Sequence, residues 1–191
     1  MAKHVIYVPG LGDHRTYGQP AVLLLWRLFG VKAHYLALGW HSHEPFEKKL
    51  ERLLALTNEY QKSYGSVSLV GVSAGATAVL NAFAERQSIS KVVCICGKIN
   101  NPQTVGDKVY AYNPLFKESI YLLQKNLRRL SAEQRQRIMS IHPLEDPTVP
   151  PADTIVDDAI ELTVPTKGHV FSIYFSMMFR ARTICRFIRN T

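Results

Sequence analysis

The sequence predicts an α/β protein: a three-layer α/β/α sandwich around a mainly parallel six-stranded sheet, with a small helical cap. Short runs rich in valine, isoleucine and leucine alternate along the chain with longer stretches of helical periodicity. The apolar runs are nearly continuous, which is typical of parallel strands that helices cover on both faces. The 191 residues suffice for a single domain with a substantial core and are few for two.

Each predicted strand is a short apolar run, and helices lie between most of the strands. The predicted strands are residues 4–8, 31–38, 67–72, 91–96, 137–142 and 159–164. The predicted helices are residues 20–29, 45–64, 74–86, a stretch around 115–130, and 170–188. Residues 97–114 are longer than a usual connection, and we expect residues 97–136 to form a cap insertion. The cap would cover the carboxyl edge of the sheet, where open α/β sheets bind ligands.

The net charge of +8 is concentrated in two segments. Residues 117–137 and residues 180–191 each carry a net charge of +4, and the rest of the chain is neutral overall. We interpret both segments as solvated helix faces and expect no nucleic-acid partner, because no aromatic interleaving or nucleic-acid motif accompanies the charge. The alternative is that the basic tail and the basic helix meet an anionic membrane surface, which would make the substrate a lipid.

The sequence predicts a cytoplasmic protein that is a monomer or a homodimer. Its first residues enter a strand after one lysine, with neither the apolar segment nor the cleavage site of a signal peptide. The longest apolar run near the C-terminus, residues 170–179, is too short to span a bilayer. Three cysteines, an odd number, argue against a disulfide framework and for a reducing compartment.

Ser73 stands at the centre of the stretch GVSAGA, between a predicted strand and a predicted helix. A nucleophile on a sharp strand-to-helix turn needs very small residues two positions before and after it, which Gly71 and Gly75 supply. The turn also directs the Ala74 N–H toward the space above the serine. Close packing of a helix on a strand would explain the glycines too, so the interpretation depends on partners elsewhere in the chain.

A serine hydroxyl becomes a good nucleophile when a base takes its proton and a third group orients that base. His169 follows the last predicted strand, so we expect it on a loop at the same sheet edge as Ser73. The loop after the fifth strand offers two acids, Glu145 and Asp146, in a segment stiffened by prolines. The other six histidines are interpreted as structural, with His14 placed where it could line the pocket.

The loop after the first strand, VPGLGDH, fits an oxyanion hole. A dinucleotide-binding fingerprint would need a third glycine where Arg15 stands, and no Gly-Lys-Ser/Thr follows for a phosphate-binding loop. The Leu11 N–H would join the Ala74 N–H in holding an oxyanion. We expect substrate contacts from His14 and Trp40, and no metal or cofactor is implied.

Four motifs make the chain resemble the α/β-hydrolases: YVPGLGD after the first strand, GVSAGA around Ser73, EDPTVP at the acid loop and KGH before the last helix. They occur in that family's order of serine, acid and histidine, and their flanking elements account for nearly the whole chain. The resemblance implies Asp146 rather than Glu145 as the acid, because the family's aspartate commonly precedes such a Pro-x-Val-Pro run.

The chain departs from larger members of that family in three ways. It starts at what would be their third strand, which makes it similar to the compact six-stranded members. Its oxyanion loop has Pro-Gly where many lipases and esterases have His-Gly. Its acid loop lacks the glycine that often stands a few residues before the acid.

The resemblance and the residues together predict a serine hydrolase that cleaves a small-molecule ester or thioester through an acyl-enzyme, as a carboxylesterase, thioesterase or lipase. Ser73 would attack, His169 would serve as base and then as acid, and Asp146 would orient His169. The alternative is a binding protein that keeps the scaffold without useful turnover. The strongly apolar segment 170–179 would then supply a patch for a partner.

Overall fold

The computed structural model describes residues 2–190 and contains, within them, a six-stranded sheet. Its strands are β1 (Lys3–Val8), β2 (Val31–Tyr35), β3 (Val67–Val72), β4 (Val92–Ile95), β5 (Ile138–Glu145) and β6 (Ile160–Lys167). Their order across the sheet is β2-β1-β3-β4-β5-β6, and all neighbouring strands are parallel. The predicted α/β architecture with a six-stranded parallel sheet is therefore confirmed.

Helices cover both faces of this sheet. They are α1 (Gln19–Leu24), α2 (Phe46–Tyr64), α3 (Gly75–Glu85), α4 (Asp107–Tyr112), α5 (Pro114–Leu127), α6 (Ala132–Arg135), α7 (His169–Phe179) and α8 (Ala181–Arg189). Short 3-10 helices lie at Leu25–Phe29, Pro102–Thr104 and Pro151–Thr154. Helices α2, α3 and α5 pack on one face of the sheet, and α1, α7 and α8 pack on the other.

Successive residues of the central strands face opposite helical layers, because side chains alternate along a strand. Ile6 and Leu69 contribute to the core beneath α2, α3 and α5. Tyr7 and Val70 contribute to the core beneath α1, α7 and α8. All four are fully buried, which explains why the strands read as continuous apolar runs.

The chain reverses its direction of winding between β1 and β3, which are neighbours in the sheet. The connection after β1 enters the layer of α1, whereas the connection after β3 enters α3 in the opposite layer. The two connections leave a crevice between them at the carboxyl ends of the strands. The glycine-rich loop after β1 and the turn at Ser73 after β3 meet at this crevice.

The C-terminal segment forms two helices where the sequence predicted one over residues 170–188. The backbone leaves helical geometry at Arg180, with φ −104° and ψ 6° between α7 and α8. The break lets α8 turn and pack on the 3-10 helix Leu25–Phe29 and on β2, where Ile184 and Ile188 are buried. A straight continuation of α7 would not bring this apolar stripe onto the sheet. Thr191, the end of the basic tail, and Met1 lie outside the described residues.

Most of the 97–136 segment packs into the helical layer beside α3. Ser119 on α5 accepts a hydrogen bond at its carbonyl oxygen from Asn81 Nδ2 (2.8 Å), and its Oγ lies 2.7 Å from Thr77 Oγ1. Asn126 Nδ2 donates to Asn81 Oδ1 (2.9 Å). The part that borders the cavity beside Ser73 runs from Lys98 to Phe116, in the first turn of α5. Within the described residues, no helix is both long and apolar enough to cross a membrane.

Candidate active site

Ser73 lies in the tight turn between β3 and α3 with its backbone in the left-handed region, at φ 52°. A non-glycine residue adopts this conformation at an energetic cost, and the surrounding packing holds it there. A Cβ on Gly71 would lie 2.5 Å from the Gly75 carbonyl oxygen, and a Cβ on Gly75 would overlap the Val8 carbonyl oxygen. The turn therefore requires glycine at both positions, and it projects Ser73 at the carboxyl edge of the sheet.

Three side chains from separate connections form one hydrogen-bonded chain at this edge. The Ser73 hydroxyl lies 2.9 Å from Nε2 of His169, and Nδ1 of His169 lies 2.7 Å from Oδ2 of Asp146. The Asp146 side chain is fully buried and that of His169 is 11% exposed. The geometry suits a proton relay in which the serine gives its proton to Nε2 while Nδ1–H stays bonded to the carboxylate.

The Asp146 carboxylate is fixed by its own loop. Oδ1 accepts hydrogen bonds from the backbone N–H of Thr148 (2.8 Å) and of Val149 (3.0 Å), leaving Oδ2 for His169. The alternative acid, Glu145, is 65% exposed at its side chain and forms an ion pair with Lys167 at 2.6 Å. Of the two acids that the sequence offered, the fold brings Asp146 to His169.

His169 is the first residue of α7, whereas the sequence predicted that it lies on a loop. It still lies at the expected edge, because α7 begins directly after β6 and Gly168. The helix was predicted to start at residue 170, so the difference is one residue.

The loop after β1 holds two backbone donors near Ser73. Among the described residues, neither the Leu11 N–H nor the Ala74 N–H donates to a protein group, and both residues border a cavity of about 270 Å³ that Ser73 also borders. Two free N–H groups beside a nucleophile are the usual components of an oxyanion hole.

The loop after β2 holds the glycine-rich loop after β1 in place through hydrogen bonds. The Trp40 indole N–H donates to the Pro9 carbonyl oxygen (3.1 Å), and His41 Nε2 donates to the Leu11 carbonyl oxygen (2.8 Å). The Asp13 carboxylate in turn accepts a 2.6 Å hydrogen bond from the Gly39 N–H. The first two contacts hold the Pro9–Gly10 and Leu11–Gly12 peptides. These two peptides flank the Gly10–Leu11 peptide, so they restrict where the Leu11 N–H points.

Trp40 and His14, which the sequence analysis predicted to contact substrate, do not line either of the two cavities that Ser73 borders. Trp40 is fully buried against Phe46 and Phe116 and does not line the larger cavity beside Ser73. The Trp40 side chain fills space in the core, and its indole N–H is satisfied there by the Pro9 carbonyl oxygen. His14 borders a separate depression, together with His41.

The larger cavity beside Ser73 has a volume of about 660 Å³. Its lining includes the glycine-rich loop after β1, and Val170, Ile173 and Tyr174 of α7. Most of its lining is apolar. Residues that the sequence analysis did not select are Arg15, Tyr17, Gln19, Thr148, Val170, Ile173 and Tyr174. The Tyr174 hydroxyl donates to the Tyr17 carbonyl oxygen (2.6 Å), and burial raises the pKa of Tyr174.

Within residues 2–190, no three histidine, cysteine or acidic side chains are grouped so that they could hold a metal ion.

Comparison with known proteins gives the fold. No protein-family model matches the sequence, and no curated protein matches it either. Among solved structures, the chain is similar to that of LipS and LipT, two metagenome-derived lipolytic enzymes, with a TM-score of 0.74 and 12% identity over 100% of this chain and 95% of that one. It is also similar to the monoacylglycerol lipase of Paleococcus ferrophilus, with a TM-score of 0.64 and 16% identity over 97% of this chain and 93% of that one.

A third similar structure is the alpha/beta hydrolase GrgF from Penicillium sp. sh18, with a TM-score of 0.73 and 12% identity over 98% of this chain and 89% of that one. At these identities the likeness concerns the fold. It confirms the architecture that the four sequence motifs implied.

Proposed function

We propose that this protein, which has the α/β-hydrolase fold, is a serine hydrolase that cleaves carboxylic esters or thioesters through an acyl-enzyme. The observation that carries the proposal is the unbroken chain from the Ser73 hydroxyl to Nε2 of His169 (2.9 Å) and from Nδ1 of His169 to Asp146 (2.7 Å). A serine with a positioned base and a buried, oriented acid has the parts that nucleophilic catalysis needs.

In the first half of the reaction, Ser73 Oγ attacks the substrate carbonyl carbon and His169 Nε2 takes the hydroxyl proton. The resulting imidazolium keeps its Nδ1–H bond to Asp146, whose other oxygen is held by two backbone N–H groups. The carbonyl oxygen becomes an oxyanion, which the N–H groups of Leu11 and Ala74 stabilise. His169 then gives its proton to the departing alcohol or thiol, and the acyl group remains on Ser73.

In the second half, His169 removes a proton from water as the water attacks the acyl carbon. The second oxyanion occupies the same position, and its collapse releases a carboxylic acid and returns the proton to Ser73. The same three side chains therefore serve both steps, with His169 alternating between base and acid.

The cavities support an ester with an apolar part. The cavity of about 660 Å³ beside Ser73 has apolar walls in Val72, Val170 and Ile173, which suit a hydrocarbon acyl or alcohol group. Ser73 also borders the cavity of about 270 Å³, so the two parts of an ester have a separate space on each side of the nucleophile. Similarity to a monoacylglycerol lipase and to lipolytic enzymes supports the same substrate class.

A fluorophosphonate probe and a p-nitrophenyl ester test the proposal. We expect the probe to label the wild type at Ser73, and Ser73→Ala to lose both labelling and turnover. Replacing His169 by Gln should lower kcat by roughly 10³–10⁶. Ser88→Ala, an exposed serine on another surface, is the matched control and should keep both signals. Equal labelling of wild type and Ser73→Ala, or no turnover by the wild type, would favour the alternative of a binding protein on this scaffold.

A further inference from the structure

The outer surface of the α1–α7–α8 layer is both apolar and cationic. We define it by two segments, residues 14–30 and residues 168–190, which pack on the same face of the sheet. Trp26 donates its indole N–H to the Met177 carbonyl oxygen (2.8 Å), which joins the two segments directly. Their outward-facing side chains therefore form one continuous surface, which we call the α7 face.

The α7 face holds eight of the fourteen large apolar side chains that are exposed in the described chain. Phe171 and Phe179 are 62% and 69% exposed, and the ring of each contacts the ring of Phe175 along one line of α7. Leu28, on the neighbouring 3-10 helix, is 79% exposed. The other members are Tyr17, Leu24, Leu25, Val170 and Met178. A concentration of exposed apolar side chains of this kind is typical of a surface that binds a protein or a membrane.

The charge of the same surface has one sign. Residues 14–30 and 168–190 contain six arginines and neither an aspartate, a glutamate nor a lysine. The exposed side of α8 consists largely of Arg182, Arg186 and Arg189. None of the six arginines forms an ion pair within residues 2–190, and Nε of Arg180 is buried without a hydrogen-bond partner. Guanidinium groups bind phosphate oxygens in pairs, so this surface fits phosphate-bearing partners.

We propose that the α7 face docks on an anionic lipid bilayer, with its phenylalanine and leucine side chains inserted among the lipids and its arginines on the lipid phosphates. Apolar side chains between arginines on the outer faces of helices are the pattern of interfacial binding. A second copy of this chain is a poorer occupant, because a symmetric contact would bring the two sets of arginines together.

The position of the larger cavity agrees with this occupant. Exposed Tyr17 and Val170 belong to the α7 face and also line the cavity that reaches Ser73. A protein docked in this way would draw an amphiphilic ester from the bilayer without passing it through water; this last point rests on the proposed function. The docking itself depends on the surface alone.

Co-sedimentation with vesicles tests the docking. The full-length protein should bind vesicles of phosphatidylcholine mixed with phosphatidylglycerol, and bind vesicles of phosphatidylcholine alone much more weakly. Binding should weaken as salt rises, because salt screens the arginines. Equal binding to both vesicles, or to neither, would overturn the proposal.

Charge reversal on two different faces distinguishes binding through the α7 face from attraction by the net charge of the whole protein. We expect Arg182→Glu with Arg186→Glu to weaken binding by at least about 30-fold, since each basic residue at a membrane contributes roughly fivefold. Lys125→Glu with Arg128→Glu makes the same change of net charge on α5, on the opposite face of the sheet, and should leave binding within about threefold of the wild type. An equal loss in both double variants would show attraction without a specific face and would overturn the proposal.

The apolar contribution has its own pair of variants. Phe171→Ser with Phe179→Ser should weaken vesicle binding by at least about tenfold, whereas Tyr112→Ser with Tyr121→Ser, exposed tyrosines of α4 and α5, should not. An unchanged melting temperature in each variant excludes unfolding as the cause. If light scattering instead shows a dimer that the Phe171 and Phe179 substitutions dissociate, and vesicles do not bind, the face is a contact between copies.

Ser73→Ala should bind vesicles like the wild type. If the wild type binds vesicles but hydrolyses no ester, the proposed function is rejected and the docking stands. If the wild type hydrolyses a soluble ester but does not bind vesicles, the docking is rejected and the proposed function stands.

Discussion

Asp146 binds His169 through one carboxylate oxygen only, at 2.7 Å from Nδ1, while its other oxygen accepts two backbone N–H groups of its own loop. The loop thus orients the carboxylate independently of its bond to the histidine. Its neighbour Glu145 points to Lys167 at the surface. Two adjacent acids therefore have separate roles, and substitution of each should have a different effect.

Asp146→Asn should lower kcat for a p-nitrophenyl ester by roughly 10³–10⁴, because the amide cannot hold Nδ1–H of His169 in the required tautomer. Glu145→Gln should change kcat by less than about twofold, since it removes a surface ion pair of small energetic value. Steady-state kinetics with both variants measure the difference. A large loss in Glu145→Gln, together with a small one in Asp146→Asn, would assign the acid to Glu145.

Trp40→Phe should lower kcat by roughly tenfold with a smaller effect on KM, because Pro9 loses the donor that fixes the oxyanion loop. It should also destabilise the protein by about 1–2 kcal/mol through the unpaired buried carbonyl. Trp26→Phe is the control: Trp26 is equally buried and donates to the Met177 carbonyl oxygen on the other side of the sheet. Trp26→Phe should lower the free energy of unfolding by a similar amount and leave kcat unchanged. Urea unfolding and steady-state kinetics of the two variants measure these effects, and an equal loss of kcat in both would contradict the role given to Trp40.

Lys98→Met should destabilise the protein by about 3–5 kcal/mol, because it leaves the buried Asp153 carboxylate without its cation. Adding Asp153→Asn to it should recover part of that loss, since no unpaired charge then remains. Urea unfolding of the two variants measures the effect. If Lys98→Met alone lowers the free energy of unfolding by less than about 1 kcal/mol, the Asp153 carboxylate is accessible to water and the expectation is wrong.

Thiol reagents should leave activity unchanged at pH 8. Burial raises the pKa of Cys94 and of Cys96, the latter further by the negative charge of Asp146, and burial raises the pKa of Cys185 to about 12. All three are therefore protonated at pH 8, and the thiolate is the reactive form. Intact mass after iodoacetamide should show no adduct on the native protein and three after denaturation. Rapid inactivation of the native protein would contradict this.

The sheet and the meeting of Ser73, Asp146 and His169 could be predicted from the sequence. Parallel strands have their carboxyl ends at one edge, so residues that follow three different strands come together there. The strand signal is strong because every central strand is buried on both faces.

Contacts away from this shared edge, or between loops, could not be predicted in this way. The partner of the Trp40 indole is a backbone carbonyl on another loop, and no local pattern encodes it. The break at Arg180 has no glycine or proline to mark it; it follows from the packing of α8 on β2. The full charge of the α7 face could not be predicted either. Arg15 and Arg27 are distant in sequence from the arginines of the tail, and only the fold brings them to the same surface.

The overlap that any Cβ on Gly75 would have with the Val8 carbonyl oxygen has a consequence for how this protein could diversify. The end of β1, the serine turn and the start of α3 touch through their backbones, so none can move without the others. A substitution that displaced one of these three segments would therefore displace all of them. If the protein is an esterase, its substrate range would change through cavity-wall side chains such as Val170, which is 65% exposed and under no such restriction.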